Sequence, residues 1–551
     1  MNKTLGEQVD NRNRTRATRI LLAIMVVSLI LRVALLRIDR VVRWDEPDYL
    51  MLGRNLFSGR GYAVADRPEL HYAPLFPIVT GLLYPLTRDM KLNSDISYVL
   101  FGTLTLLPVF GIAQRLWGLR IAVISTALVC LFPMLTAAVP FWGTMLEPLY
   151  LFLLFAALYC GWVAWEDHGL AAHLAAGALL GLAYLTKPEA VVYFGLMVLL
   201  LVLGNLWRRT FSKRGPVLGI LGVVLAFVLV ISPYITFLYR HTGRIMISGK
   251  LGVTYVAGQG AVEHDPTLYD RALSQLDEAG EEIIWFSMDR FKYSIWDIIS
   301  DDPRGFVLRT WRNINRLEEL LFSRQAFPFY LLLFVGLGWF GSAWGRERAA
   351  NELFLVAAAL PVLTFMPFHI ELRYFAPMLP ILLIWVAKGI DALAQWAKET
   401  AVSLGFPTRW QRGLCYAALV IPSATLLLYF ALMHPQVVQE GLAGMGTSRR
   451  EAGLWLKRNS PIDAMVMSRD TEVPFYAERR WAATPHEDYP RFIAYVRKRG
   501  ADYLVVDQRE VTVVRPQLRL LLDEDTPPPE LLHAYTAYDS SGKTIVYKVI
   551  H

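Results

Sequence analysis

Residues 73–86 read APLFPIVTGLLYPL, and whether this stretch crosses a membrane decides on which side everything after it lies. A transmembrane helix needs about 20 apolar residues. The stretch is shorter than that and carries three prolines, so it reads as a helix lying along the interface. A membrane context is set by composition: 54% of 551 residues are hydrophobic, and mean hydropathy is +0.36. The formal charge of +7 arises from Lys and Arg in short clusters between apolar runs, where they set orientation in a bilayer. No basic stripe or groove-reading motif accompanies them, so nucleic acid is not an expected partner. Cys130, Cys160 and Cys415 all lie inside apolar runs, which argues against a disulfide framework or a thiolate metal site. The polar start MNKTLGEQVDNRNRTRATR leads into a run of full spanning length, read as a retained first helix rather than a signal peptide.

Runs at 19–38, 96–116, 119–139, 145–165, 170–187, 189–206, 216–239, 327–344, 351–368, 372–394 and 413–433 predict about eleven crossings. With 73–86 kept out of the count, the inner turns become 115–120, the WEDHG turn at 165–169, 208–214, 346–348 and 398–412, most of them basic. Counting it as a span would turn Arg208, Arg209, Lys213 and Arg214 outward, against the positive-inside rule. The expected protein is an all-α polytopic membrane protein with a cytoplasmic N-terminus. Residues 1–435 form its membrane domain, with outer loops at 39–95 and 240–326, and residues 436–551 a small α/β domain on the outer, periplasmic or extracellular face. In that last part DAMVMS, ADYLVVD and TIVYKVI read as strands and RFIAYVRKRG as a helix. PRGFVLRTWRNINRLEELLF in the second loop reads as an amphipathic helix on the membrane surface.

This topology gathers ionisable residues on one face. Asp45, Glu46, Glu69, His71, Glu147, Lys187, Glu189, His369, Glu371 and Arg373 all fall at outer ends of spans or in the first outer loop. A lone boundary Lys or Arg is ordinarily an interface anchor; the convergence of several charged groups points to a site. Tyr49, Leu52 and Leu56 follow helical spacing after Pro47, so Asp45 and Glu46 stand at a helix start, where they could simply cap it. A general base for a hydroxyl acceptor also needs a carboxylate held ionised near the interface, as Lys187 and Arg373 could hold it. TKPEA (186–190) breaks a helix at membrane depth, which is tolerated beside a cavity. HIELRY (369–374) adds an Arg suited to bidentate phosphate contact, while Lys187 suits a point-charge contact, so an anionic lipid head group is the expected ligand.

The ordered motifs WDEPDY, RPELHYAPLFP, RLWG, PFWGTMLEPLYLF, GLAYLTKPEA and HIELRYFAPMLP resemble bacterial glycosyltransferases of the GT-C fold, a resemblance that covers roughly residues 20 to 395. The resemblance is to relatives of protein O-mannosyltransferases and of the lipid A aminoarabinose transferase. It implies horizontal helices in the first outer loop and places the catalytic base on Asp45, with Glu46 beside it and Glu147 on the same cavity. Lys187 and Arg373 would hold the lipid phosphate, with Glu69, His71, Tyr72, Glu189, His369 and Glu371 as candidate substrate contacts. The aminoarabinose enzymes carry an acid and a lysine next to a proline pair before the horizontal helix. Here Glu69, Leu70, His71, Tyr72 and Ala73 stand there instead, so the resemblance does not carry over the donor sugar.

The implied reaction is inverting transfer of one sugar from a polyprenyl-phosphate carrier to a protein, lipid or polysaccharide acceptor at the outer face of the inner (plasma) membrane. The inner turns are too short for a nucleotide-binding fold. Glu69, His71 and His369 could together bind a divalent metal. The rival reading is a transporter or flippase for an anionic lipid or lipid-linked sugar, which requires charged residues at several depths and on the inner half. A structural envelope subunit is the third reading. No internal repeat of the kind common in transporters is visible.

Overall fold

The computed structural model describes residues 2–208, 214–287, 295–323 and 326–551. Arg209 and Lys213 of the turn that argues sidedness, and residues 288–294 and 324–325 of the second outer loop, lie outside the described residues. The chain is predominantly helical, and among the described residues eight helices are long and apolar enough to cross a membrane. They lie at 15–35, 90–117, 147–167, 190–207, 215–242, 346–365, 379–403 and 408–443. The remaining expected crossings at 119–139, 170–187 and 327–344 form helices of 13, 17 and 10 residues. Pro133, Pro188 and Pro328 cut those runs. The break after Leu131 continues as two short helical turns over 133–141, which lead into the PFWG motif.

The stretch 73–86 is divided into helices Leu75–Leu82 and Tyr84–Thr87, ended by the left-handed Arg88. The first of these crosses helix Glu46–Phe57 at a backbone contact between Gly53 and Gly81. A Cβ on Gly53 would stand 2.6 Å from the Pro77 carbonyl oxygen, so the crossing depends on both glycines lacking side chains. Tyr49 closes the same interface, with its ring edge-on to Tyr72 at 4.8 Å and to Phe76 at 5.7 Å.

Helix 46–57 is also tied to the span beneath it. Arg40, 1% exposed, holds Glu46 bidentately at 2.8 and 2.9 Å and reaches Asp95 at 2.6 Å. Ser94 donates to Glu46 Oε1 at 2.7 Å, and Lys91 meets Asp95 at 3.2 Å. Thus every charge in the group has a partner, as burial requires.

Past helix Thr408–Ala443 the chain forms a second unit around a five-stranded sheet. After a hairpin of β1 (Ala63–Val64) and β2 (Arg67–Pro68) in the first loop, the sheet strands are β3 (Met465–Ser468), β4 (Arg480–Ala483), β5 (Tyr503–Asp507), β6 (Leu531–Asp539) and β7 (Gly542–Val549). Their order is β4-β3-β5-β7-β6, with β4, β3 and β5 parallel and the last two antiparallel. Helix Tyr489–Lys498 covers one face. The expected strands and helix are present, and β4 and β6 are additional. This unit docks on the first loop. The Val42 N–H donates to Tyr476 Oη at 2.7 Å, Arg450 meets Asp39 at 2.8 Å, and Arg480 pairs with Asp66.

Replacing Arg40 with Met strands the buried Glu46 and leaves Asp95 to Lys91 alone, so a loss of about 3–5 kcal/mol is expected. Removing Arg450 from its exposed pair should cost under about 1 kcal/mol. Thermal unfolding of the purified protein in detergent compares the two; equal shifts would show that Arg40 is not a buried tie.

Candidate active site

Asp45 occupies the residue before helix 46–57 yet makes no side-chain capping hydrogen bond. Its carboxylate, 31% exposed, instead faces a cavity of about 1150 Å³ and meets Arg373 Nη1 at 3.2 Å. Neighbouring Glu46 points the other way, into the Arg40 group. The turn that leads into them passes through Trp44, which holds a left-handed φ of 59°. Such a conformation costs a non-glycine residue about 1–3 kcal/mol and collects at functional sites. Gly143 of the PFWG motif, itself at φ 68°, backs Trp44 closely: a Cβ there would lie 2.8 Å from the indole Cδ1. Two motifs far apart in sequence therefore fit against each other at this point.

Arg373 lies on a one-turn 3-10 helix, Leu372–Phe375, outside the span that begins at Leu379. Its Nε is 2.7 Å from Glu371, whose other oxygen is 3.2 Å from His369 Nε2; Tyr374 Oη is 3.0 Å from the same nitrogen. Burial pushes the Glu371 carboxyl up, but the Arg373 charge and the His369 contact outweigh it and hold the group at about 2. Lys187 sits in the extended break between helices Leu170–Thr186 and Ala190–Trp207. It bonds Glu147 at 3.0 Å and lies 3.6 Å from Glu189. Its ammonium is 5.8 Å from the Tyr374 ring centroid, and the Arg373 guanidinium is 5.6 Å from the same centroid. One aromatic ring thus joins both cations, and Glu147, Lys187, Tyr374, Arg373 and Asp45 form a continuous series.

Burial alone would raise the Asp45 carboxyl; the charges of Lys250 and then Arg373 prevail and keep it below the ordinary carboxylate value. It is therefore ionised at neutral pH.

The turn 69–72 forms another part of the wall. Glu69 Oε1 accepts from the His71 and Tyr72 backbone N–H groups at 2.6 and 3.3 Å, and lies 3.1 Å from His71 Nδ1. His71 stacks on Trp285 of the second outer loop at 4.1 Å. The three residues that could have bound a divalent metal do not come together. Glu69 and His71 engage each other while His369 engages Glu371. Among the described residues, no three of His, Cys, Asp and Glu come together as metal ligands.

Several lining residues were not anticipated. Lys250 enters from the second loop, and Arg449, Arg469, Asp470 and Glu472 enter from the sheet unit. Asp270 of the second-loop helix Pro266–Ser274 clamps these parts together. It is 1% exposed and bonds Arg469 Nε, Arg515 Nε and His486 Nδ1, each at 2.7 Å. Burial works against its charge, but the Arg515 charge and the His486 bond hold it far below the ordinary range. The SGKLG pattern around Lys250, a lysine between glycines ahead of a helical run, was the readable signal for that residue.

Not all buried charge lies on the cavity side. Glu352, 1% exposed, accepts from Trp385 Nε1 at 2.8 Å and pairs with Lys388, whose ammonium stands 3.6 Å from the Trp117 ring centroid. This group is an exception to the clustering of most charged residues on one face. Trp117 of RLWG, the last residue of helix Leu106–Trp117, and Arg348, in the first turn of helix Arg346–Ala359 and 3.7 Å from Glu352, complete it.

Residues 66–234 match the model of the dolichyl-phosphate-mannose-protein mannosyltransferase family. No curated protein matches the chain by sequence. Among solved structures it is similar to the oligosaccharyltransferase AglB of Archaeoglobus fulgidus, determined with an inhibitory peptide and a dolichol-phosphate. That likeness has a TM-score of 0.57 at 14% identity over 96% of this chain and 74% of that one. It is also similar to ArnT of Cupriavidus metallidurans bound to undecaprenyl phosphate, with a TM-score of 0.51 at 15% identity over 96% and 97%. The matching family and these neighbours are glycosyltransferases that use lipid-linked sugars, and the chain, with its helical membrane body and appended sheet unit, has their GT-C fold.

Proposed function

We propose that this chain is a glycosyltransferase of the inner (plasma) membrane. It moves one sugar from a polyprenyl-phosphate carrier to an acceptor hydroxyl in a cavity on the outer face. The observation that carries this reading is Asp45, uncapped, turned into the cavity and in contact with Arg373. Lipid phosphates bound in the similar structures, dolichol-phosphate and undecaprenyl phosphate, support the donor class.

In the proposed reaction the acceptor oxygen attacks the anomeric carbon from the side opposite the phosphate. Asp45 takes the hydroxyl proton as the new C–O bond forms. The bond from the anomeric carbon to the phosphate oxygen breaks, and the lipid phosphate departs with one more negative charge, stabilised by Arg373 and Lys187. The product has inverted configuration. Glu147 keeps Lys187 in place, and Glu46 fixes the helix that presents Asp45.

Transport of the same lipid is the less supported reading. It calls for a charged path through the membrane, whereas Glu352 and Lys388 neutralise each other and do not line the cavity.

Asp45→Asn should lower turnover about 10²–10⁴-fold with labelled polyprenyl-phosphate sugars, the range of a lost general base. Its melting temperature should stay close to wild type, because Arg373 retains Glu371. Wild-type turnover in that variant would remove Asp45 from the mechanism. Orientation is checked by single cysteines in a background lacking the three native ones. Ile462→Cys in the sheet unit should react with a membrane-impermeant maleimide in spheroplasts, while Leu404→Cys should react only after permeabilisation. The opposite pattern inverts the topology.

A further inference from the structure

Arg32 lies within the first membrane span, 15–35, and is 3% exposed. An ionisable group at that depth is costly and ordinarily has a counter-charge. Its partners here are neutral. Nε donates to Ser28 Oγ at 3.3 Å, Nη2 donates to the Leu135 carbonyl at 2.9 Å, and the guanidinium carbon is 4.8 Å from the Tyr98 ring centroid. Nη1 is buried with no hydrogen-bond partner, and Arg32 makes no ion pair among the described residues. Gly102 of span 90–117 gives the guanidinium its place: a Cβ there would stand 2.3 Å from both the guanidinium carbon and Nη1. Arg32 and Gly102 line a cavity of about 30 Å³. The other charged residues on its wall are Glu147 and Arg373, and both are already engaged, Glu147 by Lys187 and Arg373 by Asp45 and Glu371. Thr105, also on the wall, spends its hydroxyl on the Phe101 carbonyl at 2.7 Å. Thr144, Glu147 and Arg373 line the large cavity as well, so the small one adjoins it.

We propose that Arg32 binds one small monovalent anion, chloride in the cell, in this cavity. The inference stands apart from the glycosyl-transfer reading, because it concerns a charge that the reaction does not use. A water molecule satisfies Nη1 but leaves a net positive charge in apolar surroundings; an anion satisfies both. Size selects among anions. One water takes about 10–15 Å³ of such space, so about 30 Å³ admits a single halide and excludes phosphate or sulfate with its four oxygens. The phosphate of a lipid carrier is therefore not the occupant. Spans 15–35 and 90–117 and the break at 133–135 meet at Arg32, so a bound ion ties three segments together beneath the PFWG motif. The wall shared with the large cavity gives the ion its way in from that side.

The experiment uses full-length protein in detergent, exchanged into potassium gluconate, with chloride and bromide as probes at constant ionic strength. The wild-type melting temperature should rise saturably as either halide replaces gluconate, following the occupancy of one site. Arg32→Gln keeps a donor for the Leu135 carbonyl but carries no charge, and should lose the halide response. Arg32→Lys should retain it, with half-saturation at about tenfold higher halide. Wild-type crystals grown in bromide should show an anomalous peak beside Arg32 and Gly102, a readout that stands even where Arg32→Gln does not fold. A wild-type melting temperature unchanged between gluconate and halide would overturn the proposal and leave the cavity to water; a bromide peak without a melting response would mark an adventitious ion only, with the same consequence. An equal halide response in Arg32→Gln would show a general salt effect and also overturn it, as would bromide crystals without the peak. Asp45→Asn should keep the full halide response whatever its turnover, so failure of this site and failure of the catalytic reading are told apart.

Discussion

The structure around the cavity depends on one buried guanidinium. Arg40 spends its donors on Glu46 and Asp95 and thereby fixes the start of helix 46–57 to the span below it. Consecutive residues at a helix start point about 100° apart. Once Glu46 is drawn inward to Arg40, Asp45 is directed to a different face. Identical charge and adjacent position thus yield two different carboxylates: one buried and holding the fold, the other half-exposed and available to chemistry. An unpaired Glu46 at that depth would cost several kcal/mol, so the orientation of Asp45 is not a soft preference.

Around Asp45 the site balances its own charges. Each of Arg373 and Lys187 is shared between two acids, and the Tyr374 ring lies between them. This keeps cations ready in a partly buried place without leaving them unpaired, which would be unfavourable. It also makes the resting carboxylate a weak base. A strong one at rest would be protonated more readily and would lose contact with Arg373. The arrangement fits a reaction in which an incoming anion, rather than a change of fold, alters the balance.

Much of this was legible in the chain. The three prolines and short length of 73–86 were enough to keep it from being counted as a span. The charged residues of WDEPDY, TKPEA and HIELRY then fell on one face, and Asp45, Glu147, Lys187 and Arg373 do come together. What the sequence hid depends on contacts between distant segments. Nothing local separates Asp45 from Glu46, because the difference is made by Arg40 and Asp95. Glu69 and His71 look like ligands, but backbone N–H groups two and three residues on claim the carboxylate. Lys250 carried a local signal in SGKLG, but a loop of that length has no period to place it beside the cavity. β4 escaped notice because Arg480–Ala483 is only 4 residues long, and β6 because its alternation is interrupted by an irregularity between His533 and Tyr535. The Glu352 and Lys388 pair was hidden by helical runs in which a single charge reads as a boundary residue.

The Asp270 node has a mechanical consequence. One carboxylate from the second loop is gripped by three groups of the sheet unit, Arg469, His486 and Arg515, and sealed from water. Breaking that grip inside a dry interior is costly, so loop and sheet travel together as a single cover. A widening of the entrance that leaves this grip intact would shift both segments at once rather than peel the loop away from the strands.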